Sequence, residues 1–419
     1  MDLQSASITF TKFTELRISV SVAEDPELES CVRLSGKRDQ ETIVEVNGAP
    51  LCPGTRYELL PGTSHALICW SSSATVVVEA SSTTLRNIFR TSSACAQPLA
   101  EFHCTINEFR GSKTPPRVLI CGRNDARKTE LGLTLVNYAT RFGWAPVLVD
   151  LDPSARQSVS IPGAIGCCVV EAPTILDEDL VSHHLSVQYF VGDLQAESAT
   201  GVSDVWLGFA KTLCDVSTKF KDDHIASSGS VVVAPEFSGH NSDATIEQIV
   251  QFAGITHVLV LQDDWLFAQL VKVPGLVVDR LSSSASFMQP VSPSASMRLC
   301  QRRLLSFFEG CGQGRVNSFG HRFPLSSTTI LRVVAVAGKV TASSVDRVDL
   351  ENVINCVAAI VDSSQARRDL GGFLASAVCG FARIVSIDGQ EVNLQTSLAK
   401  SALPAGKLTL IVGSVQLID

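Results

Sequence analysis

Residues 117–143, with the sequence RVLICGRNDARKTELGLTLVNYATRFG, organise the rest of the chain. The stretch opens with the apolar run 118–120, which is too short for a helix and is typical of a buried parallel strand. After a tight loop, apolar residues recur from Leu131 to Phe142 with helical spacing, and Gly143 is placed to end the helix. The stretch therefore predicts a strand, a tight loop and a helix in direct succession.

The loop between this strand and this helix comes close to the phosphate-binding pattern G-x-x-x-x-G-K-[ST]. In such a loop the backbone N–H groups at the helix N-terminus hold a phosphate chain, the lysine reaches its outer oxygens, and the hydroxyl ligates Mg²⁺. Arg127 stands where the second glycine of the pattern belongs. A strand-to-helix turn that carries Lys-Thr by chance is the alternative. The predicted nucleotide-binding residues are Gly122, Asp125, Ala126, Arg127, Lys128, Thr129 and Glu130.

Two aspartates follow the next predicted strand. Residues 145–149 form a second apolar run, and it is followed by Asp150, Leu151 and Asp152. Carboxylates at the carboxyl end of a strand beside a phosphate loop handle Mg²⁺, attacking water or a substrate hydroxyl. We therefore predict that Asp150 and Asp152 ligate Mg²⁺ together with Thr129. The alternative is that both aspartates only cap the strand end.

Composition narrows the classes of function. The chain has 419 residues, enough for two or three domains, and its 34 basic and 42 acidic residues give a net charge of −8. This balance argues against a bulk electrostatic nucleic-acid binder, so any RNA contact is expected to be local. No apolar run approaches the roughly 18 residues that a membrane helix needs, and no membrane role is expected. The thirteen cysteines contain no C-x-x-C pair and are predicted to be free thiols.

The hydrophobic patterns divide the chain into four parts. Residues 1–98 show short alternating runs between turn residues, which predicts a small antiparallel β-sandwich. Residues 99–116 are predicted to form a linker helix and a connection that two prolines close. Residues 117–310 alternate strands and helices, which predicts a doubly wound, mostly parallel sheet with its ligand at the carboxyl ends of the strands. Residues 318–419 predict a β-rich domain.

Residues 136–173, VNYATRFGWAPVLVDLDPSARQSVSIPGAIGCCVVEAP, resemble the Clp-type polynucleotide 5′-hydroxyl kinases of the cleavage and polyadenylation machinery. That family carries a GPTDVGKST loop, an LNYAVR-G helix, a DLD- or ELD-VGQ segment, a SISIPG string and an E-x-P. Their counterparts here lie at residues 125–129, 135–141, 150–152, 158–166 and 171–173. The resemblance implies a P-loop NTPase-like central domain, ATP and Mg²⁺ as cofactors, a nuclear location, and a Pcf-type cleavage factor subunit and other 3′-end processing proteins as partners.

The resemblance also assigns roles to residues outside the loop. Glu15, in a T-E-L-R string, would contact the nucleotide base, and the second contact would fall at Ser64, or at His65 if the alignment slips by one. Glu15 could equally be a solvated strand residue. Phe237 stands where the family has the tryptophan of a Gly-Trp pair, so it would stack on the substrate base or serve only as a core aromatic. Glu236 adds negative charge at that place.

A helix predicted over residues 297–310 resembles the lid of the family, whose arginines stabilise the transferred phosphoryl group. Arg303 aligns with one such arginine. The other falls near Cys300, so its charge is lost unless Arg298 or Arg302 substitutes for it. An exposed basic helix face is the alternative.

Two functions therefore compete. In the first, the protein is an ATP-dependent RNA 5′-hydroxyl kinase. Lys128 would hold the outer phosphates, Asp150 (or, less well placed, Asp152) would accept the hydroxyl proton, and Arg303 would stabilise the transferred group. In the second, the protein is a nucleotide-binding scaffold of the pre-mRNA 3′-end cleavage and polyadenylation complex.

The departures from the family pattern favour the scaffold. Arg123 and Arg127 replace a proline and a glycine of the loop, residues 153–155 replace VGQ, and Glu236-Phe237 replaces Gly-Trp. Loss of a single transition-state contact lowers the rate by about 10²–10³. Several losses in one site predict weak or no kinase activity, whereas the retained lysine, threonine and aspartate predict that nucleotide still binds.

Overall fold

The computed structural model describes residues 3–20, 30–35, 42–59, 63–92, 96–122, 128–154, 159–174, 186–198, 201–237, 242–281, 293–309, 318–336, 339–362, 377–404 and 407–418. The first ten elements are β1 Gln4–Thr11, β2 Thr14–Ser19, β3 Cys31–Ser35, β4 Val44–Val46, β5 Ala49–Pro50, β6 Arg56–Glu58, β7 Ser64–Cys69, β8 Ser73–Ala80, α1 Ser82–Arg86 and β9 Ile88–Ser92. Their strands make a four-stranded sheet, β1-β8-β3-β6, and a five-stranded sheet, β5-β4-β7-β2-β9. Both sheets contribute to one shared hydrophobic core.

The middle of the chain follows a connecting helix, α2, which spans Ala96–Asn107. Its elements are β10 Arg117–Gly122, α3 Lys128–Arg141, β11 Val147–Asp150, β12 Ala164–Val169, β13 Ser186–Phe190, β14 Glu197–Ser198, β15 Gly201–Val202, α4 Asp204–Val216, α5 Asp223–Ser228, β16 Ser230–Val233, α6 Ser242–Ala253, β17 His257–Leu261, α7 Asp264–Leu270, β18 Val277–Leu281 and α8 Pro293–Glu309. The predicted strand and helix of residues 117–143 are therefore present as β10 and α3. The lid-like helix begins at Pro293, before its predicted start at residue 297.

The central sheet has seven strands in the order β13-β12-β11-β16-β10-β17-β18. The five strands from β11 to β18 run parallel, whereas β12 and β13 add antiparallel strands at one edge. Side chains alternate between the two faces of the sheet, as the strand period requires. One face packs against α2 and α3, and the other packs against helices that include α4 and α6. The parallel strands thus direct their carboxyl ends to one edge, where a ligand of such a sheet binds.

The last strands form a second seven-stranded sheet. They are β19 Phe319–Pro324, β20 Thr328–Val336, β21 Lys339–Ser344, β22 Cys356–Val361, β23 Gly380–Asp388, β24 Glu391–Thr396 and β25 Leu408–Gln416. Their order is β19-β24-β23-β22-β25-β20-β21. Phe381 joins this sheet to the middle of the chain, because its ring lies 6.1 Å from the ring of Phe190 and 6.2 Å from that of Phe307 on α8.

The described cysteines are all free, in agreement with the sequence. Nine-residue β23 and six-residue β24 meet at a tight turn, and the Asp388-Gly389 pair there is typical of a two-residue hairpin. Asp388 pairs with Glu391, and Gly389 has a φ of 64°. Within the described ranges, no helix is both long and apolar enough to cross a membrane.

Helix α3 is bound to the N-terminal sheets by a buried polar contact. Glu45 on β4 is 1% exposed, and its Oε1 accepts a 2.5 Å hydrogen bond from the hydroxyl of Tyr138. Its Oε2 accepts a 2.8 Å bond from Arg141, which also donates to the carbonyl of Gly48 at 3.1 Å. One turn back on the same face, Asn137 donates to the carbonyl of Asn47 at 2.8 Å. Because three side chains of α3 hold one hairpin, this helix has a fixed position against the N-terminal sheets.

Replacement of Glu45 tests this contact. Glu45→Gln removes the charge that two donors share, and a buried hydrogen bond to a charged group contributes about 1.5–3 kcal/mol. We expect the free energy of unfolding in urea to fall by about 2–3 kcal/mol. Glu101→Gln, on the exposed face of α2, is the matched control and should change little. Equal stabilities of the two variants would contradict the assigned contact.

A buried histidine lies beside the same helix. His103 on α2 is 3% exposed, and its ring centroid lies 5.3 Å from that of Tyr138 and 5.5 Å from that of Phe142. Burial, together with the charges of Arg110 and Arg141, lowers the pKa of His103 from 6.5 to about 4. The folded protein therefore keeps this imidazole neutral under conditions in which the unfolded chain protonates it.

This difference predicts a dependence of stability on pH. Because the folded pKa lies below the unfolded one, His103 has no effect above about pH 7, and it lowers the free energy of unfolding as the pH falls from about 6.5 to 4. At about 1.4 kcal/mol per pH unit, the loss is at most about 3 kcal/mol. His103→Phe should flatten the urea-unfolding profile between about pH 7 and pH 5, whereas the exposed control His224→Gln should not. A His103→Phe profile as steep as that of the wild type would refute this assignment.

Candidate nucleotide site

The loop pattern begins at a glycine that the backbone requires. Gly122 ends β10 with a φ of +121°, a conformation that side-chain-bearing residues rarely adopt. A Cβ at this position would lie 2.1 Å from the carbonyl oxygen of Leu261 on β17, so the two strands approach each other too closely for any other residue. The backbone therefore requires a glycine at the first position of the pattern. Asp125, Ala126 and Arg127 lie outside the described residues.

The lysine and the threonine occupy the start of α3. Lys128 is 4% exposed, and its Nζ donates to the carbonyl oxygen of Gly122 at 3.3 Å, which places the ammonium over the start of the loop. Thr129 is also buried, and Glu130 is half-buried in the first turn. These side chains lie at a helix N-terminus, where the peptide dipoles favour an anion. Their contact with nucleotide stays a prediction.

A glycine inside α3 sets the distance between this helix and the sheet. A Cβ on Gly132 would lie 2.6 Å from a methyl group of Val233 on β16, so any larger residue would push the helix away. Sequence analysis did not identify this residue. The signal was present, because a glycine in a helix interior costs about 1 kcal/mol relative to alanine and usually has a packing reason.

The two aspartates lie at the same edge of the sheet as the loop. Asp150 pairs with Val233 on β16, and Val233 pairs with Ile120 on β10, so Asp150 is level with the strand that leads into Gly122. One strand separates them, which corresponds to about 10 Å at the usual strand spacing. Asp150 is 0% exposed, and its Oδ1 accepts a 3.2 Å bond from the backbone N–H of Asp152. Asp152 is buried too, and its Oδ1 accepts from the backbone of Ser154 at 3.0 Å.

Buried thiols lie behind both halves of the site. Burial raises the pKa of Cys121, at the end of β10, to about 12, against the opposing effect of the Lys128 charge. Burial also raises the pKa of Cys168, and the charge of Asp150 raises it further. Both thiols therefore stay protonated at neutral pH.

The donor set has the chemistry that Mg²⁺ and phosphate require. Thr129, Asp150 and Asp152 carry hard oxygen atoms, and Mg²⁺ is usually held by one or two carboxylates together with phosphate oxygens. Across the described residues, no three His, Cys, Asp or Glu side chains form a metal-binding group on their own. The residues present thus fit a Mg²⁺ ion that arrives with a phosphate chain.

Phe237 is half-buried just after β16 and packs against the main core. Its ring meets the indole of Trp206 edge-on, with the centroids 5.4 Å apart and the planes at 76°. This packing agrees with the alternative in which Phe237 is a core aromatic, and its contact with a substrate base stays a prediction. Sequence analysis missed Trp206, which no motif marks.

The predicted lid residues lie on α8. Arg303 is half-buried, and Arg298 is exposed. Cys300, which stands where the resemblance places the second arginine, is 1% exposed, and burial raises its pKa to about 11. Arg302 is half-buried, and burial lowers its pKa. A charged side chain at position 300 would therefore be buried. The role of Arg303 in stabilising a transferred phosphoryl group stays a prediction.

The two predicted base contacts lie on neighbouring strands. Glu15 on β2 is fully buried, and its Oε1 accepts a 2.8 Å bond from Nε of Arg17, so it is not the solvated strand residue of the alternative reading. Ser64 on β7 is exposed and pairs with Ser19, four residues along β2 from Glu15. At about 3.4 Å per residue, this offset separates Glu15 and Ser64 by about 13 Å along the sheet. His65 is buried and contacts the hydroxyl of Thr63 at 2.7 Å. Contact of Glu15 or Ser64 with a base stays a prediction.

Comparison with solved structures establishes the fold. A structure of a wild-type Clp1p–Pcf11p complex matches with a TM-score of 0.82 and 18% identity, over 99% of this chain and 98% of the other. A second structure matches with a TM-score of 0.81 and 18% identity over 99% of both chains. It is described as the extended interface between Pcf11p and Clp1p and the structural basis for ATP loss in a glycine-to-arginine point mutant.

The curated relatives align with this chain over a smaller share of their length than the solved structures do. The mRNA cleavage and polyadenylation factor CLP1 of Coccidioides immitis is 27% identical over 42% of this chain and 35% of its own. The polyribonucleotide 5′-hydroxyl-kinase Clp1 of Xenopus tropicalis is 40% identical over 19% of this chain and 18% of its own. The Danio rerio protein of the same name is 25% identical over 73% of this chain and 71% of its own. The alignments thus span about a third or less of the first two of these relatives.

A family model described as mRNA cleavage and polyadenylation factor CLP1 P-loop matches residues 122–310, from the glycine of the loop to the end of the lid-like helix. It covers the lysine, the two aspartates and α8 together. With the fold and the relatives, this match agrees with the resemblance that the sequence carries. The chain is therefore similar to the Clp1 family over residues 122–310, and it has the fold of Clp1p over its whole length.

Proposed function

We propose that the protein is a nucleotide-binding scaffold subunit of the nuclear pre-mRNA 3′-end cleavage and polyadenylation complex, with weak or no kinase activity. One observation carries the proposal: the whole chain has the fold of Clp1p in its complexes with Pcf11p, while the site keeps Gly122, Lys128 and Asp150 at one sheet edge. Its partners would be a Pcf-type cleavage factor subunit and other 3′-end processing proteins, with RNA contacted only locally.

We assign the middle of the chain, residues 117–310, as a P-loop NTPase-like doubly wound domain. It would be flanked by an N-terminal β-sandwich at residues 1–98, with a linker helix and connection at 99–116, and by a β-rich domain at 318–419. The N-terminal sheets have a core of their own, α2 follows them in the chain, and one face of the last sheet has its own core cluster, all of which supports this division. The nucleotide would lie where the N-terminal and central domains meet.

The residues of the site would bind nucleotide as follows. Lys128 already lies over the start of the loop, and its ammonium would exchange the carbonyl of Gly122 for phosphate oxygens. Thr129 and the two aspartates would hold Mg²⁺, with Glu15 and Ser64 on the side of the base. When bound, ATP would present its outer phosphates to Lys128, and Mg²⁺ would neutralise part of their charge.

The competing function is an active RNA 5′-hydroxyl kinase. The names of the Xenopus and Danio relatives favour it, as does the retained lysine, threonine and aspartate set. In that case Asp150 would accept the proton of the 5′-hydroxyl, Phe237 would hold the terminal base, and Arg303 would stabilise the transferred group. The buried Cys300 and the Glu236-Phe237 pair lack the arginine charge and the indole of the family pattern, which favours the scaffold.

Lys128→Ala separates the two functions. For a scaffold, the substitution should weaken ATP binding by at least about tenfold, because the phosphates lose a charge-assisted contact, and should leave binding of a Pcf11-type fragment unchanged. The wild type should transfer no γ-phosphate to a 5′-hydroxyl oligoribonucleotide beyond the level of the variant. Calorimetry measures ATP binding, and a pull-down measures binding of the Pcf11-type fragment. Transfer of a radiolabelled γ-phosphate measures kinase activity. Lysine-dependent transfer at the rate of an active family member would establish the kinase instead.

Arg127→Gly tests the departure in the loop. Arginine replaces a pattern glycine here, and a similar structure is described as explaining ATP loss in a glycine-to-arginine mutant. Restoration of the glycine should therefore tighten ATP binding by about tenfold or more, because the backbone can approach the phosphates. Arg123→Gly is the matched control, since it removes a loop arginine without restoring the pattern. Weaker binding by Arg127→Gly would show that Arg127 supplies a cation to the phosphates.

A further inference from the structure

An indole in the first turn of α4 faces the aspartate turn. Trp206 is 0% exposed, and the hydroxyl of Ser203, which caps the helix, accepts a hydrogen bond from its backbone N–H. The indole Nε1 donates to the carbonyl oxygen of Leu151 at 2.8 Å. The indole has this N–H as its sole donor and no acceptor, so the bond fixes the direction of the ring.

Leu151 lies between the two predicted Mg²⁺ ligands. Its backbone N–H donates to the carbonyl of Val233 at 3.0 Å, so β16 holds it on one side and Trp206 holds it on the other. The backbone N–H of Asp152 donates to Oδ1 of Asp150 at 3.2 Å. The shape of the turn and the direction of the Asp150 carboxylate are therefore connected, and displacement of the Leu151 carbonyl would alter both.

The same indole also contacts the segment that follows β16. Through Leu151 and Phe237, one rigid ring contacts the segments that follow β11 and β16. These are two of the parallel strands whose carboxyl ends form the candidate site. The hydroxyl cap of Ser203 and the core around α4 fix the position of the ring, so the turn rests on a rigid element.

We propose that Trp206 is a positioning residue of the nucleotide site: through the carbonyl of Leu151 it orients Asp150 and Asp152 toward the Mg²⁺ of Mg·ATP. The inference rests on the proposed nucleotide binding and assigns a residue to it that no motif contains. Trp206 is not itself a ligand. Outer partners of this kind keep ligating carboxylates in the geometry that the metal requires, and their loss weakens metal binding by about 10–100-fold.

The test compares ATP binding in Mg²⁺ with ATP binding in EDTA. Trp206→Phe keeps an aromatic ring and removes the N–H. It should weaken binding in Mg²⁺ by about 10–100-fold while it changes binding in EDTA by no more than about twofold. Phe209→Leu is the matched control, because Phe209 lies on the same helix and stacks on Tyr189 in the core, away from the turn. It should lower the melting temperature and leave the ratio of the two affinities unchanged.

Trp206→His is the second variant, because it keeps a ring N–H in a smaller ring and should retain more of the Mg²⁺ preference than Trp206→Phe. It also provides the measurement if Trp206→Phe does not fold. A Trp206→Phe variant with a lower melting temperature and an unchanged ratio of the two affinities would show that Trp206 serves only as a core residue. That result would overturn the positioning role but not the proposed nucleotide binding. A wild-type protein that binds ATP in neither condition would overturn the proposed nucleotide binding and this inference with it.

Discussion

The candidate site depends on the strand that separates its two halves. β16 pairs with β10 on one side and with β11 on the other, in a register that keeps Ile120, Val233 and Asp150 level. Because the three strands are parallel, the loop that follows β10 and the carboxylates that follow β11 emerge at one edge. The helix that starts at Lys128 then packs over β16 at a distance that Gly132 permits. A lysine and an aspartate 22 positions apart in the sequence are brought to one place by backbone pairing alone.

Local chemistry made part of this arrangement predictable. The apolar run before Gly122, the Lys-Thr pair and the two aspartates are each readable because strand, loop and helix are adjacent in the sequence. The hairpin at Asp388-Gly389 was predictable for the same reason, since its turn residues determine its shape. The lid-like helix was predicted with a late start, because the Ser/Pro-rich stretch before residue 297 favours a loop and Pro293 is compatible with a first helical turn.

The remaining contacts depend on residues that are distant in the sequence. Glu45 and Tyr138 are joined across 93 positions, and Trp206 and Leu151 across 55, so no local pattern reports either pair. The seven strands of the last sheet pair in an order that includes a parallel neighbour pair, β20 and β25, which alternation of side chains does not specify. Glu15 shows the limit most directly: the sequence places it on a strand, but its ion pair with Arg17 and its full burial follow from the fold.

Helix α3 connects the lysine of the candidate site to the N-terminal sheets. Its fourteen residues span about 20 Å. They begin with Lys128 of the site and end with Arg141, which donates a hydrogen bond to Glu45 on β4. A helix of this length transmits a tilt as a rigid rod. Any change of angle that an occupant imposes at Lys128 therefore appears at the far end as a displacement of the N-terminal sheets.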